Sequence, residues 1–137
     1  MKKEVAKKWI KALRSGKYKQ GKGYLKKFND KGEPRHCCLG VLCELYNDTM
    51  KKNHKKTLET RRITKYDSLD GDQEVVIFNG FDTLLPIKVR RWADIKDGLG
   101  LFNFNAETET ECLADLNDRG KKFKTIADII EKNIENI

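Results

Sequence analysis

The sequence predicts an α+β fold in a single compact domain over residues 1–137. It has an N-terminal amphipathic helix, a small antiparallel sheet, a buried central helix and a C-terminal helical hairpin. Three observations predict it. Apolar residues recur at helical spacing near both ends of the chain. Short segments rich in Val, Ile and Phe are bounded by Asp-Gly and Asn-Gly dipeptides, the usual marks of tight turns. No internal repeat or low-complexity linker divides the chain.

The first helix is expected over 4–14. There Val5, Ala6, Trp9, Ile10 and Leu13 share one face, with Lys3, Lys7, Lys11 and Arg14 opposite. Arg14 suits the negative helix end, and Gly16 suits the position just past it. Residues Lys17 to Leu25 interleave aromatics with lysines and read as extended, pairing with Glu33 to Cys37 through the turn Asn29-Asp30-Lys31-Gly32. Cys37 to Cys43 is apolar on every side, and Leu39, Leu42, Cys43 and Tyr46 keep helical spacing, which favours a buried helix over a strand. Gly40 then marks a close approach by another element. Residues 49–60 read as a loop or frayed helix, followed by extended segments Arg62–Tyr66 and Gln73–Phe78 and an Asn79-Gly80 hairpin into Phe81–Leu84. Pro86 opens a helix whose apolar positions are Ile87, Val89 and Trp92. Leu99–Phe104 reads as a short buried strand, and Glu109 to Asn136 as two helices broken at Asn117-Asp118-Arg119-Gly120.

Composition bounds the function. Ile, Leu, Val and Phe make up 34 of 137 residues, enough for a core, while 36% of residues are charged. No apolar run approaches the ~18 residues of a membrane span, so a cytosolic protein with reduced thiols is expected. The net charge of +8 is uneven: residues 1–36 carry 13 Lys or Arg against three acids. Residues 49–66 carry seven bases and one acid, and 67–85 five acids and no base. Such blocks attract anions to one region, although a solubilising lysine face would look the same.

Several groups invite chemistry. His36-Cys37-Cys38 with Cys43 lacks the paired ligand spacing of structural zinc, and buried cysteines pack as small hydrophobes. A thiol at a helix start beside His36 or His54 would be a nucleophile only if its pKa were lowered. Phe123 to Ile130 mimics the first helix of a helix-turn-helix, but no recognition helix follows before Ile137. Arg14–Leu25 is more suggestive. Arg14 supplies a planar fork for phosphate, Gly16, Gly21 and Gly23 allow close backbone approach, and Tyr18 or Tyr24 could stack on a base. Neither a P-loop nor a Rossmann glycine pattern is present.

The blocks Trp9–Gly16, Gln20–Leu25, Cys37-Cys38-Leu39-Gly40-Val41-Leu42-Cys43, Leu85–Ala93, Leu113–Gly120 and Ile126–Glu131 cover about half the chain. In that order they resemble a widespread family of small uncharacterised phage and prophage proteins. Asp94 stands where that family usually has Gly. The resemblance implies a phage origin and transfers no catalytic residue. By analogy with small phage proteins lacking enzymatic motifs, it implies a counter-defence role.

The expected function is therefore a phage-encoded counter-defence protein. It would bind and sequester a small anionic nucleotide-derived immune signal, of cyclic oligonucleotide or ADP-ribose type, without chemistry. Candidate ligand-binding residues are Arg14, Tyr18, Gln20, Lys22, Tyr24, Arg35, Arg90, Arg91 and Arg119. The pocket would lie within one chain or between copies of a homo-oligomer. Alternatives are a nucleic-acid-binding accessory protein using Lys3, Lys7, Lys11 and residues 17–27, a Cys-His hydrolase, and an inhibitor of a host protein. No catalytic residue, metal or cofactor is assigned. The expected location is the cytoplasm of the infected or lysogenic host, with no membrane partner.

Overall fold

The computed structural model describes residues 1–103 and 110–137. Helix α1 spans Lys3–Arg14 and buries the five predicted residues Val5, Ala6, Trp9, Ile10 and Leu13. Its end is set by Gly16, whose φ of 76° breaks the helical path. The chain then runs irregularly to Leu25.

Strand β1, Lys26–Phe28, pairs antiparallel with β2, Pro34–His36, in the register Lys27↔Arg35. The expected strand over Lys17–Leu25 is thus displaced. A short turn pairs the residues that flank it, and Asn29 tightens this one by accepting the amides of Lys31 and Glu33 with Oδ1. Only Gln20 of the earlier segment bridges β2, in the parallel sense.

Helix α2, Cys38–Lys52, is the predicted central helix, with Cys38 to Cys43 fully buried. It runs through residues 49–52, expected to fray, because Met50 still packs on the core. Strands β3, Thr60–Lys65, and β4, Gln73–Phe78, pair antiparallel with Ile63 opposite Val75. The four-stranded sheet has the order β2-β1-β4-β3. Asn79 and Gly80, at φ 49° and 86°, make the predicted two-residue turn. Pairing nevertheless stops at Phe81, and Phe81–Leu84 is not a strand.

Helix α3, Ile87–Ala93, follows Pro86 and ends on Asp94 in the left-handed region at φ 55°. Glycine would adopt that conformation more easily; Asp is among the few other residues that tolerate it. Strands β5, Leu101–Asn103, and β6, Thr110–Cys112, form a two-stranded ladder. The expected strand end at Phe104 and helix start at Glu109 lie outside the described residues. Thr110–Cys112 is strand where helix was expected, since it pairs with β5.

The tail hairpin is present as α4, Leu113–Asp118, and α5, Phe123–Lys132. Helix α5 packs along α1 and buries Phe123, Ile126, Ala127 and Ile130. Full burial of an Ile or Leu side chain is worth about 1.5–3 kcal/mol, so this face is what docks the tail. The N-terminal ammonium donates to the carbonyls of Ile134 and Ile137, closing the two ends of the chain on each other. No helix of the described residues is long and apolar enough to cross a membrane.

Candidate functional site

Three segments meet at the end of α1. Ser15 donates its hydroxyl to Ala12 O at 2.6 Å and accepts the Lys17 amide at 3.1 Å, which turns the chain sharply. Residues 15–20 then pass the start of α5. Between them lies an open cleft of about 560 Å³, lined by Arg14, Tyr18, Lys19, Gln20, Lys122 and Lys124 among others.

The charges in the cleft are unbalanced. Lys19, Lys122 and Lys124 are exposed and form no ion pair with a described residue. Arg14 is already matched, its Nη2 lying 2.7 Å from Asp128 and 2.6 Å from Glu131 on α5. These carboxylates hold its pKa above the ordinary value. Helix α5 has no acid in its first turn and no side-chain cap of its own. A helix N-terminus carries partial positive charge, so Lys122 and Lys124 sit where cations are least welcome. Gln20 Oε1 accepts the Phe123 amide at 3.1 Å. The next two amides, of Lys124 and Thr125, have no acceptor among the described residues.

The floor is a polar hub. Gln20 Nε2 donates to Asn117 Oδ1 at 2.9 Å and to Lys121 O at 2.7 Å. Asn117, fully buried, also accepts the Cys38 amide at 3.2 Å and donates to Gly21 O at 2.8 Å. The hub therefore ties the cleft loop to the start of α2 and the end of α4.

Tyr18 packs edge-on against His36, with ring centroids 5.2 Å apart. Burial, assisted by Asp48 and Glu44, pushes the Tyr18 phenol up to about 12, so it stays neutral. His36 is buried and neither ring nitrogen has a hydrogen-bond partner among the described residues. Its Nε2 lies 3.7 Å from Glu44 Oε1, too long for a hydrogen bond but within electrostatic reach, and Lys26 Nζ is equally far from the same oxygen. Burial alone would raise the Glu44 pKa; His36 and Lys26 outweigh it and hold it below the ordinary value.

The nine candidate residues divide accordingly. Arg14, Tyr18 and Gln20 share the cleft. Lys22 and Tyr24 line a neighbouring hollow of about 230 Å³, where Asp67, Asp70 and Asp118 balance the bases. Arg35 lies half-buried on β2 against Gly21. Arg90 donates to Lys96 O at 2.5 Å, and Arg91 is exposed on α3. Arg119 is paired with Glu111 at 3.0 Å and Asp115 at 3.1 Å. Sequence reasoning took Lys19 only as part of the basic stretch 17–27 of the nucleic-acid alternative, and did not select Lys122 and Lys124. The signal available for the last two was a helix whose first turn holds lysines and no acid.

Residues 1–134 match a family described as Domain of unknown function (DUF8296). The chain belongs to the DUF8296 family. No curated protein and no solved structure matches it.

Three thiols of this DUF8296 chain, those of Cys37, Cys38 and Cys43, are packed away. Burial pushes Cys37 up to about 12, against the pull of the Gly40 and Leu39 amides, and raises Cys38 and Cys43 well above the ordinary thiol value. Such groups stay protonated at neutral pH. Iodoacetamide at neutral pH is therefore expected to modify the native protein only at the half-buried Cys112, and all four cysteines after denaturation, as read by mass spectrometry. Rapid labelling of native Cys37 would contradict this burial. Among the described residues of the DUF8296 fold, no three His, Cys, Asp or Glu side chains gather as metal ligands.

Proposed function

We propose that this protein binds a small phosphate-bearing ligand of nucleotide type in the cleft between α1 and α5, and holds it without chemistry. One observation carries the reading: three lysines with no acidic partner among the described residues line the same space as the start of α5, where the amides of Lys124 and Thr125 are open. A phosphate there would take the open first-turn amides and offset charges that now oppose the helix dipole. Supporting it, the cleft lies within the roughly 300–1,000 Å³ range of small-molecule sites. Tyr18 adds an aromatic lining on which a base can stack.

In its narrower form the proposal is a phage or prophage counter-defence factor. Working in the host cytoplasm, it would sequester a cyclic oligonucleotide or an ADP-ribose-type immune signal. The second reading, nucleic-acid binding, is favoured by Lys7 and Lys11, which line a groove that adjoins the cleft at Arg14 and Ser15 and extend the basic surface along α1.

Calorimetric titration with cyclic di- and trinucleotides, ADP-ribose isomers and a short single-stranded DNA tests both. A small ligand is expected to bind with a shallow salt dependence. The double variant Lys122→Ala, Lys124→Ala should weaken it roughly tenfold or more, about one charge-assisted hydrogen bond. Binding of the DNA alone, steeply weakened by salt, would transfer the cleft to the second reading. No binding by any of them would overturn the proposal.

A further inference from the structure

The two edges of the four-stranded sheet are treated differently. At β2 the edge is closed: Lys19 O accepts the His36 amide at 2.9 Å, the Gly21 amide donates to His36 O at 2.7 Å, and Pro34 has no amide to offer. At β3 the edge is open, because no described strand pairs on its outer side. The Asn79 amide donates to Glu59 O at 2.8 Å, which makes these two a hydrogen-bonded pair. Such pairs alternate along an antiparallel ladder, so Arg61, Ile63 and Lys65 bond to β4. Thr60, Arg62 and Thr64 turn their amides and carbonyls outward, and no described residue meets them.

The chain that leads into this edge and forms it is basic. Residues 49–66 hold seven Lys or Arg and one acid. Arg62 pairs with Glu74 and Lys65 with Asp82, whereas Arg61 and the lysines at 55 and 56, which lead into the strand, are exposed and form no ion pair with a described residue. Tyr66, at the end of the strand, is 81% exposed and able to make a cross-strand contact.

We propose that the free edge of β3 takes up an acidic, extended segment of a partner protein as a fifth strand of the sheet. The outward backbone offers donors and acceptors alternately, and a strand satisfies both. The phosphates of a nucleic acid would satisfy only the donors. A second copy of this chain is disfavoured by charge: β3 carries Arg61, Arg62 and Lys65 and no acid, and Arg61 has no acidic partner among the described residues. Glutamates or aspartates facing these positions meet the opposite sign. This surface is separate from the cleft, and the proposal does not depend on a ligand there.

The test uses a fluorescein-labelled decapeptide alternating Glu with Val, its Lys-for-Glu counterpart, and a single-stranded oligo-dT, each titrated into the full chain. Anisotropy is expected to rise with the acidic peptide and not with the basic one. Amide exchange read by NMR should slow at Thr60, Arg62 and Thr64. The triple variant Lys55→Glu, Lys56→Glu, Arg61→Glu leaves the backbone edge intact and should weaken the peptide by about tenfold or more. Thr64→Pro removes one outward donor and should weaken it as well; if that variant does not fold, the charge reversal still decides. Absence of binding at millimolar peptide would overturn the proposal. So would binding without protection of the three amides, or protection of the same amides by oligo-dT in place of the peptide.

Discussion

Gly40→Ala is expected to destabilise the fold by about 3 kcal/mol or more, measured as a fall in the midpoint of urea unfolding. A methyl group at Gly40 would lie 1.7 Å from Leu25 O, 2.6 Å from Leu25 C and 3.1 Å from its Cα. These are backbone atoms that cannot rotate away, so the start of α2 and the strand entry at Leu25 must separate. Separation breaks the bond from the Cys37 amide to Leu25 O. It also disturbs the 2.8 Å bond from Trp9 Nε1 to Cys38 O, which anchors α1 on α2. Alanine is favoured over glycine in a helix by about 1 kcal/mol, so intrinsic propensity acts in the opposite direction. The clash is expected to win because it needs backbone movement in a fully packed region. An unchanged or raised midpoint would mean that helix propensity wins and that α2 does not sit against Leu25.

Gly40 also marks how far the sequence carried the fold. The unbroken apolar run around it, with helical spacing at Leu39, Leu42, Cys43 and Tyr46, was enough to place a buried helix and a close approach. It could not say what approached. The five-residue stripe of α1 was legible for the same reason, since amphipathic periodicity is a local property. Strand β1 was not. Lys26, Lys27 and Phe28 carry no apolar alternation, and they are held both by the turn that sets them beside β2 and by pairing with Val75 and Glu74, more than 40 residues away. Strand β6 was lost similarly, because Thr110–Cys112 is held by β5 rather than by its own pattern. The candidate site divides along the same line. Arg14, Tyr18 and Gln20 stand close in sequence and could be picked out together. Their neighbours Lys122 and Lys124 become part of the cleft only because α5 packs on α1, and the uncompensated first turn matters only once Phe123 is known to start the helix.

Asn117 decides whether that cleft is held in shape, and Asn117→Ala is expected to cost about 3 kcal/mol. The side chain is fully buried and serves Cys38, Gln20 and Gly21 at once. Removing it strands the Cys38 amide and the Gly21 carbonyl, both in buried residues, and each orphaned group costs about 1–3 kcal/mol. Gln20→Ala should cost less, about 1 kcal/mol, because its contacts are partly solvated and water can replace them. For the cleft the expected effects are closer together. Both variants release the restraint between residues 18–21 and the Phe123 amide, so both should weaken a bound phosphate compound, Asn117→Ala through Gln20 and Gln20→Ala directly. If the two residues act as one unit, the double variant will lose less stability than the two single losses added together. Strict additivity, or an Asn117→Ala loss below about 0.5 kcal/mol, would mean that the hub does not hold the loop and that the cleft owes its shape to the packing of α5 on α1.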